Sequence, residues 1–199
     1  MPRLLIATNN AGKIAEFRDL LDGCGWELVT PRDIGLDLEP AEEGATFGEN
    51  AQRKAVQWAG ASGLVSLADD SGLEVDALGG RPGIHSARYA GPDKTDEERM
   101  QKLLEELRDV PDGQRTARFR AVIAIADPDG RVETADGAVE GVIAHEPRGA
   151  NGFGYDPIFL LPERGLTTAE LPSAEKHAIS HRGIAARKAR TLLENWPRG

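Results

Sequence analysis

The polar loop Thr8–Lys13 is the first segment whose residue types could do chemistry. It follows the apolar run Leu4–Ala7 and precedes Ile14, which begins a helical pattern. Free N–H groups and the dipole at a helix N-terminus favour an anion, and Lys13 adds a positive charge. It is not a P-loop, because no glycine precedes Gly12 at the required spacing. A phosphate-binding loop and an ordinary strand-to-helix turn both remain open.

Two adjacent aspartates, Asp69 and Asp70, follow the apolar run Leu64–Ala68. Carboxylates at the C-terminal edge of a sheet are where α/β proteins hold divalent metals and activated water. Because neighbouring side chains of an extended chain face opposite ways, we expect one aspartate to enter a site and the other to stabilise a turn. An Asp-rich turn that merely ends the strand is the alternative.

Lys54 lies four residues after Asn50 within a predicted helix. Residues four apart share a helix face, so both side chains could present to one ligand. A solvated lysine on a helix surface is the simpler alternative.

The segment Gly152–Pro157 combines glycines, an aromatic ring and a carboxylate. Flanking glycines let a planar ligand approach the backbone, Phe153 offers a stacking face, and Asp156 can accept hydrogen bonds from ring N–H groups. A β-turn with an aromatic plug is the alternative.

The segment Lys176–Gly183 holds four potential donors, which are Lys176, His177, His181 and Arg182. Such donors can bind phosphate or read the carbonyl oxygens of a base. The two histidines have the spacing of zinc ligands on a helix, but no third ligand accompanies them, so zinc is rejected. Ser180 also fits a helix N-cap.

The elements expected to position these segments alternate between strands and helices. Hydrophobic periodicity and turn residues predict strands at 4–7, 26–30, 64–68, 116–126, 131–143 and 155–161. Helices are predicted after Lys13, at 46–63, from Thr95 and at 184–196, with capping boxes at Thr46/Glu49 and Thr95/Glu98. The order predicts an α/β protein with a mixed sheet, forming one domain over residues 1–199.

Composition excludes several classes of protein. The 199 residues carry a net charge of −9, which argues against a nucleic-acid polymer as partner. No stretch approaches a membrane span, and residues 1–8 lack the features of a secretory signal. The single cysteine, Cys24, cannot form an internal disulfide, which indicates a reducing, cytoplasmic setting.

Taken together, the motifs resemble the non-canonical purine nucleoside triphosphate pyrophosphatases, or inosine triphosphatase family, over nearly the whole chain. The matching segments are Ala7-Thr8-Asn9-Asn10-Ala11-Gly12-Lys13, Thr46-Phe47 with Glu49-Asn50-Ala51 and Lys54, Ala68-Asp69-Asp70-Ser71-Gly72-Leu73, Gly79-Gly80-Arg81-Pro82-Gly83-Ile84 with Ser86-Ala87-Arg88-Tyr89, Phe153-Gly154-Tyr155-Asp156-Pro157, and Ser180-His181-Arg182-Gly183.

The resemblance implies hydrolysis of inosine and xanthosine triphosphates, ribo or deoxy, to the monophosphate and pyrophosphate with Mg²⁺. It also implies a homodimer and a two-lobed fold with the active site in the cleft between the lobes. Asp70 would be general base and metal ligand, and Lys13 and Lys54 would act in catalysis on the phosphates. The substrate-binding residues implied are Thr8, Asn9, Asn10, Ala11, Gly12, Lys13, Ser71, Phe153, Gly154, Tyr155, Asp156, Lys176, His181 and Arg182.

One departure from the family pattern concerns the second metal carboxylate. Family members commonly carry Glu-Glu-Thr-Gly shortly before the Thr-Phe pair, whereas this chain reads Glu42-Glu43-Gly44-Ala45. We take Glu42 as the second metal ligand, with Glu43 as the alternative. A non-catalytic protein that binds or senses purine nucleotides with the same pocket is the alternative function.

Overall fold

A computed structural model describes residues 1–41 and 43–197. In these ranges the α-helices are α1 (Ala11–Leu20), α2 (Phe47–Ser62), α3 (Asp96–Glu106), α4 (Ser173–Ile179) and α5 (His181–Glu194). The strands are β1 (Arg3–Ile6), β2 (Glu27–Val29), β3 (Val65–Val75), β4 (Thr116–Ala126), β5 (Val132–Ile143), β6 (Phe159–Leu161) and β7 (Leu166–Thr167). None of the helices in this described part is both long and apolar enough to cross a lipid bilayer.

The strands form a seven-stranded sheet in the order β2-β1-β3-β4-β5-β6-β7. Strand β1 runs parallel to both of its neighbours, β2 and β3. Strands β5, β6 and β7 pair antiparallel in sequence order. The mixed α/β sheet predicted from the sequence is therefore confirmed.

Two compact units divide the chain. The first comprises Met1–Asp70, Ala121–Gly137 and Arg182–Gly199, and the second comprises Ser71–Arg120 and Ala138–His181. The single domain over residues 1–199 stays a prediction.

The core of the first unit has two apolar clusters, and the alternation of β1 explains both. Leu4 and Ile6 belong to a cluster with residues of α1 and α5, whereas Leu5 and Ala7 belong to a cluster with Trp58 and the small residues of α2. Successive side chains of a strand point to opposite faces, so an uninterrupted apolar run buries both faces under helices. Helix α1 therefore begins shortly after the carboxyl end of β1.

The second unit buries one face of its strands. Leu73 of β3 and Phe119 of β4 pack in an apolar cluster with Leu103 of α3. On the alternate positions, Arg118 of β4 forms ion pairs with Asp76 at 2.9 Å and with Glu140 of β5 at 3.0 Å. Strands that alternate apolar and charged residues in this way have one face in the core and the other in solvent.

Three sequence expectations are corrected by the fold. Strand β3 does not end in a turn at Asp69 but continues to Val75. The last helix begins at His181 rather than at 184, and helix α4 precedes it without having been predicted. Asp156–Ile158 forms a single 3₁₀ turn instead of the first part of a strand. In contrast, the capping box of Thr95 and Glu98 is confirmed, with both hydrogen bonds present.

Candidate active site

The loop after β1 forms the N-terminus of α1. Asn10 is the N-cap, and its Oδ1 accepts a hydrogen bond from the Lys13 backbone N–H at 3.0 Å. Its own backbone N–H donates to Thr8 Oγ1 at 3.2 Å. Thr8, Asn9 and Ala11 line a cavity of about 530 Å³. The same cavity is lined by Arg18, Thr30 and Asp33 but not by Lys13. Phosphate binding by this loop therefore stays a prediction.

A buried network of four charged side chains lies beside this loop. Lys13 Nζ is 3.0 Å from Asp69 Oδ1, and the guanidinium of Arg182 is 3.4 Å from Asp69 Oδ2. Arg182 also forms an ion pair with Glu16 of α1. Asp69 and Arg182 are each 3% exposed. Burial of this kind is tolerated because each charge has an opposite partner within hydrogen-bonding distance.

The basic groups around Asp69 keep it ionised. Burial alone would raise the pKa of Asp69, but the charges of Lys13, Arg182 and Lys54 outweigh it and hold this pKa well below the ordinary value. For Lys13, burial lowers the pKa below that of an ordinary lysine, and the charge of Asp69 opposes this effect. Asp69 is therefore an anion at neutral pH that organises the cations, not a proton donor.

Asp70 faces two residues of α2. Its Oδ1 is 3.0 Å from Lys54 Nζ, and its Oδ2 accepts a hydrogen bond from Asn50 Nδ2 at 3.1 Å. All three side chains are buried. The simple alternative for Lys54, a solvated charge, is therefore wrong. Asn50 and Lys54 share a helix face, as their spacing predicts, and that face points at the second aspartate of β3.

Asp70 is chemically suited to hold Mg²⁺. Within residues 1–41 and 43–197, no group of three or more His, Cys, Asp or Glu side chains is arranged as a metal site. Mg²⁺ is usually bound through one or two carboxylates together with water and substrate phosphate oxygens, so a single buried carboxylate fits its chemistry. Glu42, the predicted second metal ligand, lies outside the described residues.

In the second unit, the segment around Phe153 is held by a buried carboxylate. Asp156 Oδ2 accepts hydrogen bonds from the Phe153 backbone N–H at 2.9 Å and from Lys176 Nζ at 2.6 Å. Its Oδ1 accepts from Thr168 Oγ1 at 2.9 Å. Lys176 Nζ also lies 5.3 Å from the centre of the Phe153 ring. The structure thus brings Phe153, Asp156 and Lys176 together, with Asp156 setting the shape of the turn.

The glycine after Phe153 is fixed from another element. The Gly154 backbone N–H donates to Asp96 Oδ2 at 2.7 Å, in the first turn of α3. The Tyr155 hydroxyl donates to the backbone oxygen of Ser86 at 2.9 Å. These contacts leave little freedom to the residues that the sequence predicts to surround the base.

The remaining predicted site residues lie within β3 and at the N-terminus of α5. Ser71 directly follows Asp70 and is partly exposed. His181 is the first residue of α5, and its ring stacks on Phe119 with 4.7 Å between the ring centres. Arg182, predicted to read the base, is engaged with Glu16 and Asp69. Base reading by His181 and Arg182 stays a prediction.

Residues 4–192 match a family model whose description is "Ham1 family". The chain belongs to the Ham1 family. The resemblance inferred from the motifs is thereby confirmed.

Relatives in this family match the chain along nearly its whole length. A "dITP/XTP pyrophosphatase" of Desulforamulus reducens is 51% identical, over 96% of this chain and 95% of the relative. The protein of the same name from Bacillus subtilis is 48% identical, over 98% of both chains. The structure of a HAM1 protein from Coxiella burnetii has a TM-score of 0.88 and 44% identity, with 98% of this chain and 100% of that chain covered.

Three residues that contact the site of this Ham1-family chain were missing from the predicted set. Glu16 lies three residues after Lys13, so it shares a face of α1 with it. Asn50 shares the face of Lys54, a signal that the sequence already showed. Asp96 had no such signal, because its hydrogen bond to Gly154 joins residues 58 positions apart.

Gly152 provides a test of how closely the segment around Phe153 is packed in this Ham1-family chain. It has φ of +75°, and a Cβ there would lie 2.1 Å from Asp156 Oδ2 and 3.0 Å from Lys176 Nζ. We expect Gly152→Ala to lower the free energy of unfolding by about 3–5 kcal/mol, since it strains the backbone and separates a buried ion pair. Urea denaturation measures this loss.

Gly154→Ala is the matched control for Gly152→Ala. The φ of Gly154 is +64°, but among the described residues no atom beyond its two chain neighbours lies within 4 Å of the added Cβ. It should cost only the backbone strain, about 1–2 kcal/mol. Equal losses for the two variants would contradict the proposed importance of the Asp156–Lys176 pair.

Proposed function

We propose that this chain hydrolyses non-canonical purine nucleoside triphosphates, namely the inosine and xanthosine forms with ribose or deoxyribose, to the nucleoside monophosphate and pyrophosphate. The proposal is supported by relatives that are 51% and 48% identical in sequence and carry the name "dITP/XTP pyrophosphatase". The observation that carries it is the pair of buried aspartates in β3, each held by a lysine, Asp69 by Lys13 and Asp70 by Lys54.

The chemistry requires positive charge around the phosphates. Water attacks the α-phosphorus, the bond to the oxygen that bridges the α- and β-phosphates breaks, and pyrophosphate leaves with the bonding electron pair. Lys13 and Lys54 neutralise phosphate oxygens, and the N–H groups that begin α1 add donors. Mg²⁺, when bound, neutralises further phosphate charge. An aspartate is ordinarily a carboxylate at neutral pH, so Asp70 can accept a proton.

Asp70 is assigned the general base. A base must lie within hydrogen-bond reach of the attacking water and be unprotonated before the attack. The amide of Asn50 and the ammonium of Lys54 restrict how the carboxylate of Asp70 can turn. A carboxylate so fixed orients the water as well as taking its proton.

Selectivity for the base follows from hydrogen-bond donors. Hypoxanthine and xanthine carry an oxygen at position 6, where adenine carries an amino group. His181 and Arg182 are the assigned donors to that oxygen, and Phe153 is the stacking face. With ATP their hydrogen bonds to an oxygen at position 6 would not form, and losing a matched buried hydrogen bond costs about 1–3 kcal/mol.

The Mg²⁺ requirement, a homodimer and a cytoplasmic location complete the proposal. Asp70 is the proposed metal ligand, with Glu42, or alternatively Glu43, as the second. A membrane and a nucleic-acid polymer have no part in it, and small-molecule purine nucleotides are the proposed partners.

Pyrophosphate release from ITP, XTP, dITP, GTP and ATP, with Mg²⁺ and with EDTA, tests the proposal. We expect kcat/KM for ITP and XTP to exceed that for ATP by about 100-fold, because ITP and XTP, unlike ATP, have the oxygen at position 6 that accepts the hydrogen bonds from His181 and Arg182. EDTA should abolish the release. Binding of ITP without any release of pyrophosphate would instead identify a nucleotide-sensing protein.

A further inference from the structure

Asn50 joins the loop that precedes α2 to Asp70. Its side chain is fully buried. Its Oδ1 accepts a hydrogen bond from the Gly44 backbone N–H at 2.7 Å, and its Nδ2 donates to Asp70 Oδ2 at 3.1 Å. A Cβ at Gly44 would lie 2.6 Å from Asn50 Oδ1, so the loop backbone and the amide are in close contact.

Only an amide of this length satisfies both partners at once. The Gly44 N–H needs an acceptor, and the Asp70 carboxylate needs a donor. Aspartate at position 50 would accept from Gly44 but would repel Asp70, and an apolar residue would remove one hydrogen bond from each of the two groups. The amide orientation is therefore fixed by its neighbours, and it fixes the rotation of the Asp70 carboxylate in turn.

We propose that Asn50 is a positioning residue that sets the metal affinity of Asp70. Its amide bridges the Asp70 carboxylate and the Gly44 backbone N–H, and so fixes the orientation of the carboxylate. This inference rests on the proposed role of Asp70 as a metal ligand. Groups that orient metal-binding side chains by hydrogen bonds change metal affinity or activity by about 10–100-fold when they are replaced. Asn50 orients Asp70 through a hydrogen bond in this way, and its amide carries no charge.

Mn²⁺ binding to the free protein, followed by electron paramagnetic resonance, tests the inference separately from turnover. We expect Asn50→Ala to weaken Mn²⁺ binding about 10-fold or more, with a similar fall in kcat and a smaller change in KM. In an Asp70→Ala background, the same change at position 50 should have no further effect, because Asn50 acts through Asp70. An equal additional loss in that background would overturn the inference.

Glu49→Gln is the matched control. Glu49 precedes Asn50 on α2 and accepts the Ala45 backbone N–H at 2.8 Å, which an amide oxygen can also do. The Mn²⁺ affinity of the Glu49→Gln protein should stay within about twofold of the wild type, because the change leaves the hydrogen bond between Asn50 and Asp70 in place.

A second variant covers the case in which Asn50→Ala does not fold. Gly44→Ala leaves Asn50 in place but displaces its amide, and it should also weaken Mn²⁺ binding. Wild-type affinity in a folded Gly44→Ala or Asn50→Ala protein contradicts the inference, as does a wild-type protein that binds no Mn²⁺. If the wild type binds Mn²⁺ but releases no pyrophosphate, the proposed function fails and the positioning role is still decided by these affinities.

Discussion

Asp70→Asn is expected to lower kcat for ITP by about 10²–10⁴-fold, the range typical of a general base, while nucleotide binding is retained. Asparagine keeps the shape of aspartate and can still accept a hydrogen bond from Lys54 through its one oxygen. It can neither take a proton from water nor give Mg²⁺ a charged ligand. The loss should therefore fall on kcat, with KM changed much less.

Steady-state pyrophosphate release and calorimetric titration with an inosine nucleotide separate these effects for Asp70→Asn. Asp93→Asn is a suitable control, since it removes an exposed carboxylate from the loop before α3. It should leave kcat within about twofold of the wild type, as expected of an exposed surface substitution at a residue outside the predicted site set. Pyrophosphate release by Asp70→Asn at a rate near the wild type would refute the assignment of the base.

The features that sequence predicted well depend on residues close together in the chain. Strand β4 has the predicted bounds, Thr116–Ala126, because alternating apolar residues and a turn define it locally. Thr95 and Glu98 form the predicted capping box, whose two hydrogen bonds span three residues. Such signals are complete within one short segment, so no distant contact was needed to interpret them.

The failures depend on partners far away in sequence. Asp69 and Asp70 were expected to end a strand, since adjacent aspartates favour turns. Instead, Lys13 and Arg182 pair with Asp69 and Lys54 pairs with Asp70, so both carboxylates can remain buried in an extended strand. Tertiary ion pairs overrode the local preference, and no feature of the segment itself indicated them.

The candidate site shows the same division. The sequence identified the chemical types of Asp156 and Lys176 but not that they bind each other at 2.6 Å. It assigned Asp156 to ring N–H groups of a ligand, whereas the structure gives this carboxylate three donors from the chain itself. Motifs therefore locate a site, while the division between residues that contact substrate and residues that hold them requires the fold.

Arg182→Ala is expected to lower the free energy of unfolding by about 3–5 kcal/mol, because it leaves the buried carboxylates of Glu16 and Asp69 without their shared cation. Lys13 would still pair with Asp69, but Glu16 would lose its ion pair with Arg182. Urea denaturation with tryptophan fluorescence measures the loss, since Trp26 and Trp196 lie in the same core cluster as Phe17 of α1.

Lys188→Ala in the same helix is the control for Arg182→Ala. Lys188 pairs with Asp136 at 3.0 Å, but both side chains are more than half exposed. A surface ion pair contributes about 0–1 kcal/mol, so this variant should be nearly as stable as the wild type. Adding Glu16→Gln to Arg182→Ala should restore part of the lost stability, because it removes the buried negative charge that Arg182 had balanced. A double variant no more stable than Arg182→Ala would contradict the proposed contribution of the ion pair between Arg182 and Glu16.

Base reading by Arg182 is tested on the same folded variant by comparing ITP with ATP. If the guanidinium donates to the 6-oxo group, its removal should narrow the ratio of kcat/KM for the two nucleotides by about 10-fold or more, the value of one matched hydrogen bond. We expect this narrowing. An unchanged ratio, with kcat/KM lowered equally for both substrates, would restrict Arg182 to holding Asp69 and Glu16 and leave His181 as the assigned base reader.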